Sequence, residues 1–170
     1  MLIVVSGLPG TGKTAVAAAL AGRLAATHLS VDPVEDALLG AGILRSRATG
    51  VAAYEVVRVA AEQNLRLGAT VVVDAVNDSE PARETWRAAV EGTGAELVSV
   101  LLVLDDAGEH RRRLEGRGRP LGHLPEPSWE DVLARAAAYV PWPEGTCLRI
   151  GAQGSVDDVV AELLERLPGR

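Results

Sequence analysis

The sequence predicts an α/β three-layer sandwich, with a five-stranded parallel sheet covered by helices on both faces, in one domain spanning residues 1–170. Three observations predict it. The chain opens on a continuous apolar run, "LIVV" (2–5), of the kind a strand buried on both faces requires. Short β-branched runs then alternate with longer stretches of helical periodicity, which implies right-handed crossovers and parallel strands. The 48% hydrophobic content over 170 residues suffices for a substantial core.

The first strand ends at a glycine-rich turn, "GLPGTGKT" (7–14). In the alanine-rich helix that follows, Val16, Leu20 and Leu24 recur every four residues as a stripe facing the sheet. "THLSV" (27–31) is the second strand, with Asp32 at its end, and Pro33 opens a short helix closed by Gly40 and Gly42. "VAAYEVVRVAAEQNLRLG" (51–68) is a helix capped at Gly68, and "TVVVDA" (70–75) is the third strand. A helix over 79–94 carries Pro81 in its first turn, and "AELVSVLLVLDD" (95–106) is the fourth strand. The arginine-rich "AGEHRRRLEGRGR" (107–119) and a proline-broken loop follow, and then Ser128 and Asp131 show capping-box spacing at a helix start. "TCLRI" (146–150) is the fifth strand. In the closing helix Ser155 and Asp158 repeat the cap, with Val156, Val160, Leu163 and Leu167 on one face.

Composition excludes several classes. The formal net charge of -6 argues against nucleic-acid binding by general electrostatic attraction, although a local basic patch stays possible. No apolar run approaches the roughly 18 residues a membrane helix needs and no leader is visible at the start, so the expectation is a cytoplasmic protein without membrane contact. Cys147 is the only cysteine and reads as a small buried residue. Among 17 basic residues the single lysine is Lys13, inside the glycine-rich turn, which suggests a position that requires an ammonium.

In a parallel sheet, ligands bind outside the carboxyl ends of the strands, so Gly7–Thr14, Asp32, Asp74 and Asp105 are expected on one rim. Gly7, Gly12, Lys13 and Thr14 match G-x-x-x-x-G-K-[ST] in the strand-turn-helix setting that the motif requires, which makes the chain a P-loop NTPase candidate. Gly7, Leu8, Pro9, Gly10, Thr11 and Gly12 would wrap the phosphates of ATP, Pro9 by shape and the others with backbone N–H groups. Lys13 would reach the β and γ phosphates, and the Thr14 hydroxyl would ligate Mg2+. "VVVDA" (71–75) resembles a Walker B strand, in which Asp74 would hold a magnesium-bound water opposite Thr14.

Asp32 has two readings on sequence. Its carboxylate could accept the proton of an attacking substrate hydroxyl, or it could N-cap the helix that begins at Pro33, with Glu35 at N3. Arg111, Arg112, Arg113, Arg117 and Arg119 suggest a lid over about 111–128, with Arg113, Arg117 and Arg119 as the candidates for contact with the transferring phosphate and the others solvated. His28, His110 and His123 show no metal-ligand spacing and read as structural or surface residues; Arg45, Arg47 and Arg58 could contact substrate but read rather as facing water.

With these residues in place, the chain resembles the small P-loop kinases of the nucleoside-monophosphate-kinase-like group over nearly its whole length. It is most similar to the branch containing chloramphenicol phosphotransferase, polynucleotide kinase and zeta-toxin-like kinases. The resemblance implies Asp32 as general base, the arginine lid, and a loop at 151–155 beside the adenine. Glu35 stands where polynucleotide kinases have an arginine, and "GKTA" and "DAVND" depart from the adenylate-type pattern. The expectation is therefore an ATP- and Mg2+-dependent kinase acting on a hydroxyl of a small molecule, a metabolite or an antibiotic. The alternatives are a polynucleotide 5′-hydroxyl or nucleotide kinase and, from another class, a non-catalytic ATP-binding regulatory module. A guanine-reading N-K-x-D motif is impossible when the only lysine is Lys13, and a remodelling ATPase of the AAA type normally needs a longer chain with a second helical domain.

Overall fold

The computed structural model describes residues 1–119 and 121–168. Five parallel strands are hydrogen-bonded in the order β2-β3-β1-β4-β5, where β1 is Leu2–Ser6, β2 Thr27–Ser30, β3 Val71–Ala75, β4 Leu97–Val103 and β5 Leu148–Gly151. β1 is central, paired in register with β3 (Val5 opposite Asp74) and with β4 (Val5 opposite Val100). It alternates between two cores. Ile3 and Val5 face Val16, Leu20 and Leu163, while Leu2 and Val4 face Val57, Ala61 and Trp86. A strand buried on both faces has no solvent side to alternate with, which is why the opening run is uniformly apolar.

The first core is covered by α1 (Lys13–Leu24) and α7 (Val156–Arg166), the second by α2 (Val31–Gly40), α3 (Arg47–Arg66) and α4 (Glu80–Val90). Two further helices, α5 (Ala107–Gly116) and α6 (Trp129–Ala138), follow β4. Both capping boxes read from the sequence are present, at Ser128/Asp131 and at Ser155/Asp158. Gly68 takes φ +81 just past α3 and donates to Leu65 O.

Several expectations need correction. β2 stops at Ser30, and the helix begins at Val31, two residues before Pro33. Ser30 is the N-cap position, so Asp32 lies inside the first turn and is not a cap. Proline tolerates the first helical turn generally, where no N–H is needed, and so it does not mark the first residue uniquely. α3 starts four residues earlier than its apolar pattern, because the Ser46 side chain accepts from Thr49 N and caps it there. In α7 the buried residues are Val159, Val160 and Leu163, with Leu167 packed at its end, while Val156 is exposed. The strand order, which the sequence leaves open, puts β2 at the sheet edge, paired with β3.

Candidate active site

The turn between β1 and α1 can form only with glycine at its start. A Cβ on Gly7 would sit 2.7 Å from Thr11 Oγ1 and 3.1 Å from the Leu102 carbonyl oxygen. Gly12, at φ +90, is left-handed immediately before α1, a conformation that L side chains rarely take. Thr11 closes the turn by donating from Oγ1 to Leu8 O at 2.9 Å. From outside, His110 on α5 braces it: Nε2 is 2.8 Å from Pro9 O, so that nitrogen carries the proton, and Trp129 packs edge-on against the ring. Lys13 opens α1 and is buried, and burial pushes its ammonium below the usual lysine range, with Asp32 and Asp74 partly offsetting it. A buried cation at a helix N-terminus, where the helix supplies more positive potential, is a strained arrangement that an anion relieves.

Beside it, Thr14 Oγ1 donates to Asp74 Oδ1 at 2.7 Å, and His28 Nε2 donates to Asp74 Oδ2 at 2.9 Å. Asp74 is almost fully buried, 1% exposed, with both oxygens engaged. The Thr14 oxygen keeps its lone pairs while its proton is held by Asp74. Two hard oxygens next to a phosphate-binding turn fit Mg2+, which keeps waters and takes phosphate oxygens as ligands. Among the described residues no group of three or more His, Cys, Asp or Glu comes together, so this is not a cage for a self-sufficient metal site.

Two clefts meet at the loop. The first, about 420 Å³, is lined by Gly10, Gly12, Lys13, Thr14, Ala15 and Ala18 together with Arg113, Arg117 and Arg119. The second, about 150 Å³, is lined by Pro9, Asp32, Glu35, Arg45, Tyr54, Arg135 and again Arg117 and Arg119. Arg119 bonds Asp32 Oδ2 through Nη1 and Glu126 Oε1 through Nε at 2.7 Å. Arg117 Nη2 lies 2.6 Å from Glu126 Oε2 but off the N–H direction, and both Nε and Nη2 are buried without a hydrogen-bond partner. Burial and the neighbouring Arg119 push the Arg117 guanidinium below its ordinary range. In the second cleft burial, with the charge of Asp32, raises the Glu35 carboxyl.

The remaining arginines of the segment have other polar partners, although Arg113 also borders the first cleft. Arg111 and Arg112 are exposed and pair with Glu115 and Glu109. Arg113 also bonds Glu109 and donates to Ala152 O at 2.8 Å, tying α5 to the loop after β5. Asp105 is exposed beyond the end of β4 and forms no ion pair or side-chain hydrogen bond with the described residues. Arg58 pairs with Glu55 and Glu62. Arg45, which the sequence leaves between water and substrate contact, is exposed and borders the second cleft, as does Arg135, which pairs with Asp78 at 3.1 Å. Cys147 is half-buried, and burial pushes its thiol up to about 11.

Sequence reasoning missed two supports. His28 holds Asp74 from the edge strand, 46 positions away, and nothing local marks it. Asn77, at φ +54 and fully buried, donates to Ser6 Oγ at 2.9 Å and accepts from Trp86 Nε1 at 2.7 Å, fastening the carboxyl ends of β1 and β3 together. The one available signal was the residue type, since asparagine is among the few that tolerate a left-handed backbone.

A parallel sheet whose central strand runs into G-x-x-x-x-G-K-T and a helix N-terminus defines a P-loop NTPase fold. The chain belongs to the AAA domain family, whose pattern matches residues 2–139. No curated protein matches the chain significantly. Solved structures share the architecture at low identity. A protein from Chloroflexus aurantiacus designated a kinase is 21% identical, with TM-score 0.77, covering 98% of this chain and 97% of its own. A sugar kinase from Janibacter sp. HTCC2649 is 14% identical, with TM-score 0.72 and coverage of 96% and 92%. The Mycobacterium tuberculosis APS kinase in complex with AMPPNP and APS is 19% identical, with TM-score 0.66 and coverage of 96% and 95%.

Proposed function

We propose that the protein is an ATP-dependent phosphotransferase that moves the γ-phosphoryl group to a hydroxyl of a small molecule. The observation that carries this reading is that Arg117 and Arg119 border both clefts, the one at Lys13 and Thr14 and the one at Asp32. A transferring group passing from one cleft to the other stays beside both guanidiniums. The kinase names of the structural relatives support the same class.

In the reaction, the acceptor oxygen forms a bond to the γ phosphorus as the bond to the bridging oxygen of ADP breaks, and the hydroxyl proton passes to Asp32. Lys13 neutralises charge on the β and γ oxygens, and Arg117 and Arg119, acting as a lid over about 111–128, neutralise charge spreading over the transferred group. Arg113 serves the lid indirectly, by holding α5 to the 151–155 loop beside the nucleotide. Thr14 and Asp74 would hold Mg2+, which would supply further positive charge beside the phosphates. The second cleft suits a small polar acceptor, with Glu35, Arg45 and Arg135 offering charges of both signs. Within the branch that the chain resembles, a cleft of this size favours a small-molecule acceptor over a polynucleotide.

The test is ADP release with a panel of hydroxyl compounds, including sugars, sugar acids, nucleosides and chloramphenicol-like antibiotics, scored above hydrolysis without acceptor. At least one compound is expected to stimulate release, and Lys13→Arg to abolish it, since a guanidinium does not fit the turn as a compact ammonium does. Tight ATP binding with no stimulation by any acceptor would favour the non-catalytic regulatory module instead.

A further inference from the structure

We propose that Glu126 is a positioning residue that occupies the arginine sites of the γ-phosphate, and that triphosphate binding displaces it and thereby uncovers Asp32. The inference rests on reading Gly7–Thr14 as the triphosphate site. Glu126 places one oxygen 2.7 Å from Arg119 Nε and the other 2.6 Å from Arg117 Nη2, so one carboxylate spans two guanidiniums. Two adjacent arginines bridged by one anion is the pattern that phosphate oxygens make. The Arg117 contact is imperfect: Nε and Nη2 are buried and lack hydrogen bonds, so the guanidinium is held near an acid without being satisfied by it. Buried beside the Lys13 cleft, Arg117 Nε and Nη2 have no aligned acceptor although Nη2 is in ion-pair range of Glu126, so they can take a better-placed one.

The second half of the inference concerns the other arm of Arg119, which covers Asp32 Oδ2 while Nε is anchored on Glu126. One guanidinium therefore links the phosphate stand-in to the carboxylate that would take the acceptor proton. Moving Arg119 toward a γ-phosphate breaks both contacts together. Asp32 becomes free to meet an acceptor only when a triphosphate is present to receive the arginine. Against the upward pull of burial, hydrogen bonding from Arg119 and the charge of Arg117 hold the Glu126 carboxyl below the usual range, so it competes as a full anion at neutral pH.

The experiment measures equilibrium affinity for AMPPNP and for ADP, by calorimetry in the presence of Mg2+, and needs no knowledge of the acceptor. Glu126→Gln keeps the side-chain shape and removes the charge. It is expected to tighten AMPPNP binding about fivefold, and ADP binding much less, because only the triphosphate reaches both arginines. In a background of Arg117→Ala with Arg119→Ala, the same substitution is expected to change nothing. Glu126→Ala should behave like Glu126→Gln, and thermal melts of all variants check that they are folded. AMPPNP affinity unchanged in folded Glu126→Gln overturns the proposal, as does equal tightening for ADP or a gain that persists without the arginines. A parent protein that binds neither nucleotide would instead remove the phosphate-loop reading.

Discussion

At the scale of single residues, the site divides into those named by a local pattern and those named by a partner far away in sequence. Gly7, Lys13 and Thr14 could be read directly, because a phosphate turn is made from consecutive residues and its backbone conformation demands particular types at fixed spacing. Asp74 was legible near the end of its strand as a magnesium-side carboxylate, but its partners were not. Its hydrogen bonds to Thr14 and His28 span 60 and 46 positions and are created by the register of β2, β3 and β1. Glu126 carried no signal, since a carboxylate between two prolines reads as solvated loop until Arg117 and Arg119 fold against it. The sequence left Asp32 open between cap and base, and the helix start at Val31 removes the cap. With that reading gone, Asp32→Asn separates proton transfer from structure. It should lower acceptor-dependent phosphorylation by about 10² to 10⁴, the usual worth of a general base. Thermal stability should change by less than about 1 kcal/mol, because the pair with Arg119 is partly exposed. Nucleotide affinity should be at or above that of the parent, since Arg119 loses a competitor. Turnover equal to the parent's, once an acceptor is in hand, would exclude Asp32 as the base.

At the scale of elements, helix and strand types followed the periodicities closely, while their ends depended on caps. The capping boxes at α6 and α7 were visible because Ser and Asp stand at the required spacing of three. The start of α3 was not, because its apolar stripe begins after Ser46 has already capped the helix. The end of α5 at Gly116 was equally hidden inside a run of arginines with good helix propensity. Beyond it the chain carries Arg117 and Arg119 to the clefts, and Asp36 anchors the far side of that segment by accepting from His123 N and Leu124 N, both at 2.7 Å. Those backbone bonds hold the Asp36 carboxyl below its ordinary range. The segment is therefore fastened at α2 and at the Ser128 cap of α6. Loss of the cap tests whether these anchors are local. Ser128→Ala should cost about 1 kcal/mol in denaturant unfolding and leave ADP affinity unchanged, because Ser128 lines neither the Lys13 cleft nor the Asp32 cleft. A large drop in ADP affinity would mean that the cap is coupled to the phosphate loop.

At the scale of the whole molecule, the alternation of apolar strands with amphipathic helices was enough to predict the parallel sheet, but the strand order was not in it. Nothing in "THLS" says that it will pair with β3 at an edge rather than with β1, since four half-buried residues fit either place. What the sheet does globally is bring the ends of β1, β3 and α2 to one rim and hold a lysine there out of water. Lys13 is 4% exposed, and burying an ammonium costs free energy that its two carboxylate neighbours offset only in part. The fold accepts a destabilising group where function requires it, and this makes a prediction about the molecule as a whole. Lys13→Met keeps the volume and removes the charge, so without nucleotide it should melt at or above the temperature of the parent. The parent should gain about 2.7 kcal/mol from AMPPNP at a hundred times its dissociation constant, a rise of roughly 5–10 °C for a chain of this size. Lys13→Met should show no such rise. The two melting curves should therefore cross, with the variant ahead without ligand and the parent ahead with it. A variant that melts well below the parent without ligand would mean that Lys13 stabilises the turn, and one that keeps the full rise would mean that the nucleotide binds elsewhere.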